Sequence, residues 1–117
     1  MGAKEANLAA KCNIIISEHG GRVRRNNVGY DRELRMPYGL GKGSPDYVGW
    51  LPLDGRAVVL TVEYKTPGIK TTQEQRNCLE QIAKAGGIAI VGRSPEQVKS
   101  ALDKVKDGSY PWGVVYE

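Results

Sequence analysis

The chain has 117 residues, of which 40% are hydrophobic and 26% charged, with a net charge of +4 and a pI near 9.1. That length suits one compact core over residues 1–117, and the composition is that of an ordinary globular domain. No run of about 18 apolar residues is present, so no transmembrane helix is expected, and no signal peptide is recognisable. Cys12 and Cys78 stand alone, with no zinc spacing and no disulfide framework, which fits a reducing cytoplasm.

Residues 3–18 read as a helix. Leu8, Cys12, Ile15 and Ile16 recur at helical spacing, and Gly20-Gly21 ends the run. His19, the single histidine, sits at that helix end and reads as a cap rather than a catalyst. Residues 22–30 read as a strand interrupted by Asn26, Asn27 and Gly29, and residues 31–43 as a loop. Asp54-Gly55 between two β-rich segments, 47–51 and 57–64, signals a hairpin. Both faces of this hairpin are largely apolar, so helices are expected on both sides. Thr71 or Thr72 caps a helix to about Ala85, and Gly86-Gly87 stops it. Ile88-Ala89-Ile90-Val91 reads as an interior strand, parallel to the preceding one through a right-handed crossover. Ser94-Pro95-Glu96-Gln97 starts a last helix reaching about Val105. Residues 110–116 form an apolar tail, read as a last strand or a partner-binding segment. The fold class is therefore α/β, a mixed sheet flanked by helices in the order α-β-β-β-α-β-α.

The hairpin carries the most informative residues. With Asp54-Gly55 as the turn, counting outward places Asp46 directly opposite Glu63. Opposed residues share a face with Cβ atoms about 4.5–5.5 Å apart, and Lys65, two residues on, shares it too. Val48, Trp50, Val59 and Thr61 line that face, whereas Tyr47, Leu51, Val58, Leu60, Val62 and Tyr64 take the other. Two opposed carboxylates repel, and a cation between them removes the conflict. Two acids and a lysine so placed can hold a divalent metal and activate water for phosphodiester hydrolysis. A bulge at Pro52, which has no N–H to donate, would shift the register.

Charge is concentrated just upstream. Arg22, Arg24, Arg25, Arg32, Arg35 and Lys42 face only Asp31 and Glu33, six against two, an excess equal to the whole net charge. With Lys70, these residues are candidates for gripping a polyanionic backbone. A solvated basic surface explains the same charges without a partner. The Gly39-Leu40-Gly41-Lys42-Gly43 run is no phosphate loop, because no Ser or Thr follows Lys42 and no helix follows the run.

Gly43-Ser44-Pro45-Asp46, Val62-Glu63-Tyr64-Lys65, and Thr72-Gln73-Glu74-Gln75 followed by Leu79 and Gly86-Gly87 resemble the motifs of the PD-(D/E)XK nuclease superfamily. The closest resemblance is to its VRR-NUC branch, the virus-type replication and repair nucleases, and it runs from Glu5 to about Arg93. The resemblance implies metal-dependent phosphodiester cleavage. Asp46, Glu63 and the Tyr64 carbonyl would ligate Mg²⁺ or Mn²⁺, hard ions that prefer oxygen. Lys65 would orient or deprotonate the attacking water, Gln75 would position Lys65 or the ion's water shell, and Glu5 would act through a water on the ion. Tyr64 stands where the family has a small aliphatic residue. Short stand-alone members are viral or prophage-like and are linked to branched DNA, including four-way junctions. A C2 homodimer would supply the two nicks that resolving a junction needs. Trp112, Val114 and Val115 are candidates for its interface, and plain core packing explains them as well. The implied setting is the cytoplasm of a bacterial or phage-infected cell, with no membrane association. The competing classes are a non-catalytic module that grips branched DNA and a less selective DNA nuclease or nickase.

Overall fold

The computed structural model describes residues 2–117. Helix α1 (Ala3–Glu18) is followed by strands β1 (Arg22–Arg25), β2 (Gly29–Asp31), β3 (Met36–Tyr38), β4 (Tyr47–Leu53) and β5 (Arg56–Tyr64). Helix α2 (Gln73–Lys84), strand β6 (Ile88–Gly92) and helix α3 (Pro95–Asp107) complete the chain. The main sheet has the order β1-β4-β5-β6, with β6 parallel to β5 and the other pairs antiparallel. This is the expected mixed sheet in the order α-β-β-β-α-β-α, with the short β2-β3 hairpin inserted. Among the described residues no helix is long and apolar enough to cross a membrane.

Local chemistry sets most boundaries. Asp54 and Gly55 both take positive φ, 51° and 76°, as a type I′ turn demands. The β4-β5 register then follows from the turn, Leu53 facing Arg56 and Tyr47 facing Val62. Pro52 causes no bulge; it simply faces Ala57. Thr72 caps α2 by accepting from the Gln75 N–H, and Ser94 caps α3 by accepting from the Gln97 N–H. His19 ends α1, with Nδ1 2.8 Å from the Ile15 carbonyl and Nε2 2.8 Å from Asp103 of α3.

The two faces of the sheet are covered unequally. Leu51, Leu60, Val62 and Tyr64 pack with Cys12 and Ile16 of α1 and Val98, Ala101 and Leu102 of α3 in the main core. Helix α2 covers the other face only in part, where Leu79 and Ala83 meet Ala89 and Val91 of β6. Trp50 and Val59 on that face each remain 48% exposed. The expectation of helices over both faces therefore holds for β6 and the C-terminal half of β5 and fails over β4 and the start of β5, because one 12-residue helix spans too little of the sheet.

Two further expectations are corrected. Residues 22–30 are not one strand: β1 ends at Arg25, and Gly29–Asp31 forms a separate strand, β2, that pairs with β3 rather than β4. Residues 31–43 are not all loop, because β3 pairs with β2, Asp31 facing Met36. Residues 32–40 are all exposed, so this hairpin stands off the body and its apolar pattern reports no core. The tail after α3 adds no strand. Tyr116 makes a single parallel bridge on the outer edge of β6, its N–H donating to Ala89 and its carbonyl accepting from Val91.

Gly49 lets β1 lie close to β4. A Cβ there would sit 1.8 Å from the Arg22 carbonyl oxygen, a backbone atom that cannot swing aside. Gly49→Ala should lower stability by about 1–3 kcal/mol or more, the usual penalty of overpacking. Urea unfolding of that variant measures it, and unchanged stability would contradict so close a pairing.

Candidate active site

Asp46 lies one residue before β4, in register with Glu63 of β5. Its side chain accepts a hydrogen bond from the Tyr64 N–H at 3.1 Å through Oδ2. The loop leading into it is held by Asn26. The Asn26 N–H donates to the Asp46 carbonyl at 2.8 Å. Its side-chain amide donates to the Ser44 hydroxyl at 2.7 Å and to the Pro45 carbonyl at 2.9 Å. Its Oδ1 accepts from the Leu40 N–H at 3.1 Å. Gly43 adopts φ +84° and passes against Glu74 of α2, where a Cβ would meet the Glu74 Cβ at 2.8 Å. The Gly-Ser-Pro-Asp run is thus pinned to both β1 and α2.

Glu63 is only 2% exposed, and its Oε1 is buried without a hydrogen-bond partner. Burial, then the Asp46 side chain and its charge, push the Glu63 carboxyl up to about 8 from an ordinary 4.5; Lys65 and the Asp46 N–H oppose the shift. Like charges held together in a poorly solvated place do not both ionise readily. Lys65 follows directly, half-buried, its backbone N–H donating to the Gly92 carbonyl at 3.1 Å. Arg93 holds the connector beyond it, donating to the carbonyls of Thr66 at 3.1 Å and Ile69 at 2.6 Å.

Glu5, Asp46, Glu63, Tyr64, Lys65 and Gln75 line one recess of about 210 Å³. All five side chains expected to act in catalysis are therefore brought together from α1, β5, α2 and the loop before β4. Two have further engagements. Glu5 Oε2 accepts from the Gly2 N–H at 3.1 Å. Gln75 Oε1 accepts from the Thr72 N–H at 2.9 Å in a capping box, which leaves its amide nitrogen for the recess. The Thr72-to-Gln75 spacing thus builds the helix start and delivers Gln75 to the site at once.

The basic residues do not form one strip. Arg22 and Arg24 face Trp50 and Val48 across the β1-β4 pairing, on the face of the acids. Arg25 and Lys42 line a second recess of about 560 Å³ that also reaches Asp46 and Gln75. Lys42 sits 3.6 Å from Glu74. Arg32 and Arg35 lie in the turn between β2 and β3. Lys70 lies just before the α2 start, in a recess shared with Arg76 and Arg93, both of which pair with Glu117. Sequence reading missed Asn26, Arg93 and Tyr38. In the sequence Asn26 reads as a strand breaker, yet an asparagine beside such a turn is also a source of side-chain bonds to loop backbone. No local pattern marks Arg93 or Tyr38.

A mixed sheet with a Pro-Asp and Glu-X-Lys set at adjacent strand ends defines a nuclease-type core of the PD-(D/E)XK class. The family model described as VRR-NUC domain matches residues 4–96, and the chain belongs to that family. Its partner class is accordingly DNA. No curated protein and no solved structure matches the chain.

The chemistry of the site fits a hard divalent ion. Among the described residues no three His, Cys, Asp or Glu side chains form a metal cage. Mg²⁺ needs none, since it keeps several waters and is usually held by one or two carboxylates. A cation beside Glu63 would satisfy the orphaned Oε1 and offset the repulsion from Asp46. The linkage has a definite sign. Between pH 4.5 and about 8 the folded protein holds a proton on Glu63 that the unfolded chain has released, so metal-free stability falls as pH rises through that window. A cation competes with the proton, so the melting-temperature gain from Mg²⁺ or Mn²⁺ should be larger at pH 8 than at pH 6. Glu63→Gln should flatten the pH dependence and remove the gain. Thermal melts of both proteins with metal or EDTA test this, and a gain retained in the glutamine variant would sink it.

Proposed function

We propose that residues 1–117 form a single nuclease domain: a metal-dependent, structure-selective DNA endonuclease that nicks branched DNA, such as four-way junctions, as a homodimer. The observation that supports this best is the buried, unpartnered Glu63 oxygen beside Asp46, in one recess with Lys65, Gln75 and Glu5. Asp46, Glu63 and the Tyr64 carbonyl would hold Mg²⁺ or Mn²⁺, which supplies Lewis acidity toward the phosphate when bound.

The chain's own groups do the rest. Lys65 orients or deprotonates the attacking water and offsets the charge that builds on the phosphate oxygens. Gln75, whose amide nitrogen is free to donate because its Oε1 is held by the Thr72 N–H, steadies the water shell of the ion, and Glu5 holds water at the α1 side of the recess. Arg22 and Arg24 on β1, Arg25 and Lys42 beside Asp46, Arg32 and Arg35 on the hairpin, and Lys70 before α2 contact the phosphate backbone. A second copy supplies the second nick, with Trp112 and Val114, 43% and 55% exposed, as its contact face. The setting is the cytoplasm of a bacterial or phage-infected cell. A purely binding module would need neither an uncompensated buried carboxylate nor a lysine beside it, which favours the enzyme.

Purified protein on an end-labelled four-way junction and a matched linear duplex should give metal-dependent paired nicks confined to the junction. Glu63→Ala or Lys65→Ala should lower cutting by roughly 10²-fold or more while DNA binding in a gel shift persists. Equal cutting of both substrates would remove the junction selectivity, and equal loss of binding in the variants would contradict the roles of the two residues.

A further inference from the structure

We infer that the recess between Asp46 and the β2-β3 hairpin takes an unpaired nucleotide next to the cleaved phosphodiester, with its base stacked on Tyr38. This rests on the nuclease reading of the same site and names the feature of DNA that the site selects. The recess holds about 560 Å³ and shares Asp46 and Gln75 with the catalytic recess, so whatever fills it adjoins the reacting phosphate. That volume falls within the roughly 300–1,000 Å³ of ordinary small-ligand sites. Its walls combine Arg25 and Lys42 with Val28 and Tyr38. Cations beside a half-exposed aromatic are the pairing by which proteins take single strands, phosphate on the charge and base on the ring.

Tyr38 is built for that contact. It faces Gly29 across the hairpin, and its ring lies over the glycine so closely that a Cβ there would fall 2.2 Å from the Tyr38 Oη. Glycine thus gives the ring a flat seat, while 51% of the residue stays exposed. Asn26 is committed to the loop through both ends of its amide, so it anchors the base of the hairpin rather than reading DNA. Asn27 Oδ1 accepts from Arg25 Nε at 3.0 Å and sets the direction of that side chain. A paired base keeps both faces against its neighbours in the duplex. An unpaired one offers a face to the ring, and stacking of this kind changes affinity by roughly 5- to 100-fold per base. Branch points and flaps supply such bases.

The test is binding in EDTA, where DNA stays intact, to three fluorescent probes: a short deoxythymidine strand, the same strand with abasic sugars, and a matched duplex. Wild type should prefer the deoxythymidine strand over the abasic one by about 5-fold or more. Tyr38→Ala should lose that preference and Tyr38→Phe should keep it. An unchanged preference in Tyr38→Ala, or an equal loss in Tyr38→Phe, would overturn the stacking role. Sedimentation of each variant completes the test: loss of preference together with a change of oligomeric state would assign the hairpin to a subunit contact and overturn the inference. Cutting of any DNA by wild type with Mg²⁺ or Mn²⁺ decides the nuclease reading separately, because the binding arm needs no catalysis.

Discussion

The structure depends on two carboxylates held in register across one antiparallel strand pair. Asp46 and Glu63 come together because a type I′ turn at Asp54-Gly55 fixes which residues of β4 and β5 face each other. A shift of one residue would turn Glu63 toward α1 and α3 and would expose the leucines and valines that now fill the core. The apolar packing of Leu51, Leu60, Val62 and Tyr64 therefore protects the register, and through it the geometry of the acids. Hydrophobic burial fixes the position of a pair that electrostatics alone would separate.

The surroundings preserve that unfavourable arrangement. Asn26 ties the loop before Asp46 to β1, Gly43 lets the same loop lie on α2, and Arg93 holds the connector after Lys65. Each bond lies outside the recess, so the site is positioned by backbone contacts and its side chains are left to act. The raised Glu63 carboxyl records the tension of this arrangement. A proton relieves it below about pH 8, and a divalent ion would relieve it in a working enzyme. Open β4 residues and a projecting hairpin flank the recess, with Arg22 and Arg24 on β1 and Arg32 and Arg35 in the hairpin turn.

The main fold was legible because its signals are local. Thr72 with Gln75, Ser94 with Gln97, Asp54-Gly55 and the apolar run at Ile88 each specify a cap, a turn or an interior strand within a few residues. The grouping of Asp46, Glu63 and Lys65 followed from counting along one hairpin. Gln75 and Glu5 were placed by resemblance alone, since nothing local says that α1 and α2 reach the same strand ends. The β2-β3 hairpin was not legible. Its strands have three residues each, too few for an alternating pattern, and Pro37 argues against a strand. Its exposed Tyr30, Leu34, Met36 and Tyr38 face no core that would impose a period. The partial cover of Trp50 and Val59 was hidden for a related reason, because sequence reveals that a face is apolar but not how far a helix extends across it.

The central claim is that Asp46 and Glu63 act together as one metal site. Anomalous diffraction from crystals soaked in Mn²⁺ measures this directly. The account predicts a single strong peak between the two carboxylates, within bonding distance of both, and its loss in Glu63→Gln crystals. A peak elsewhere, or none while the two side chains remain side by side, would contradict it.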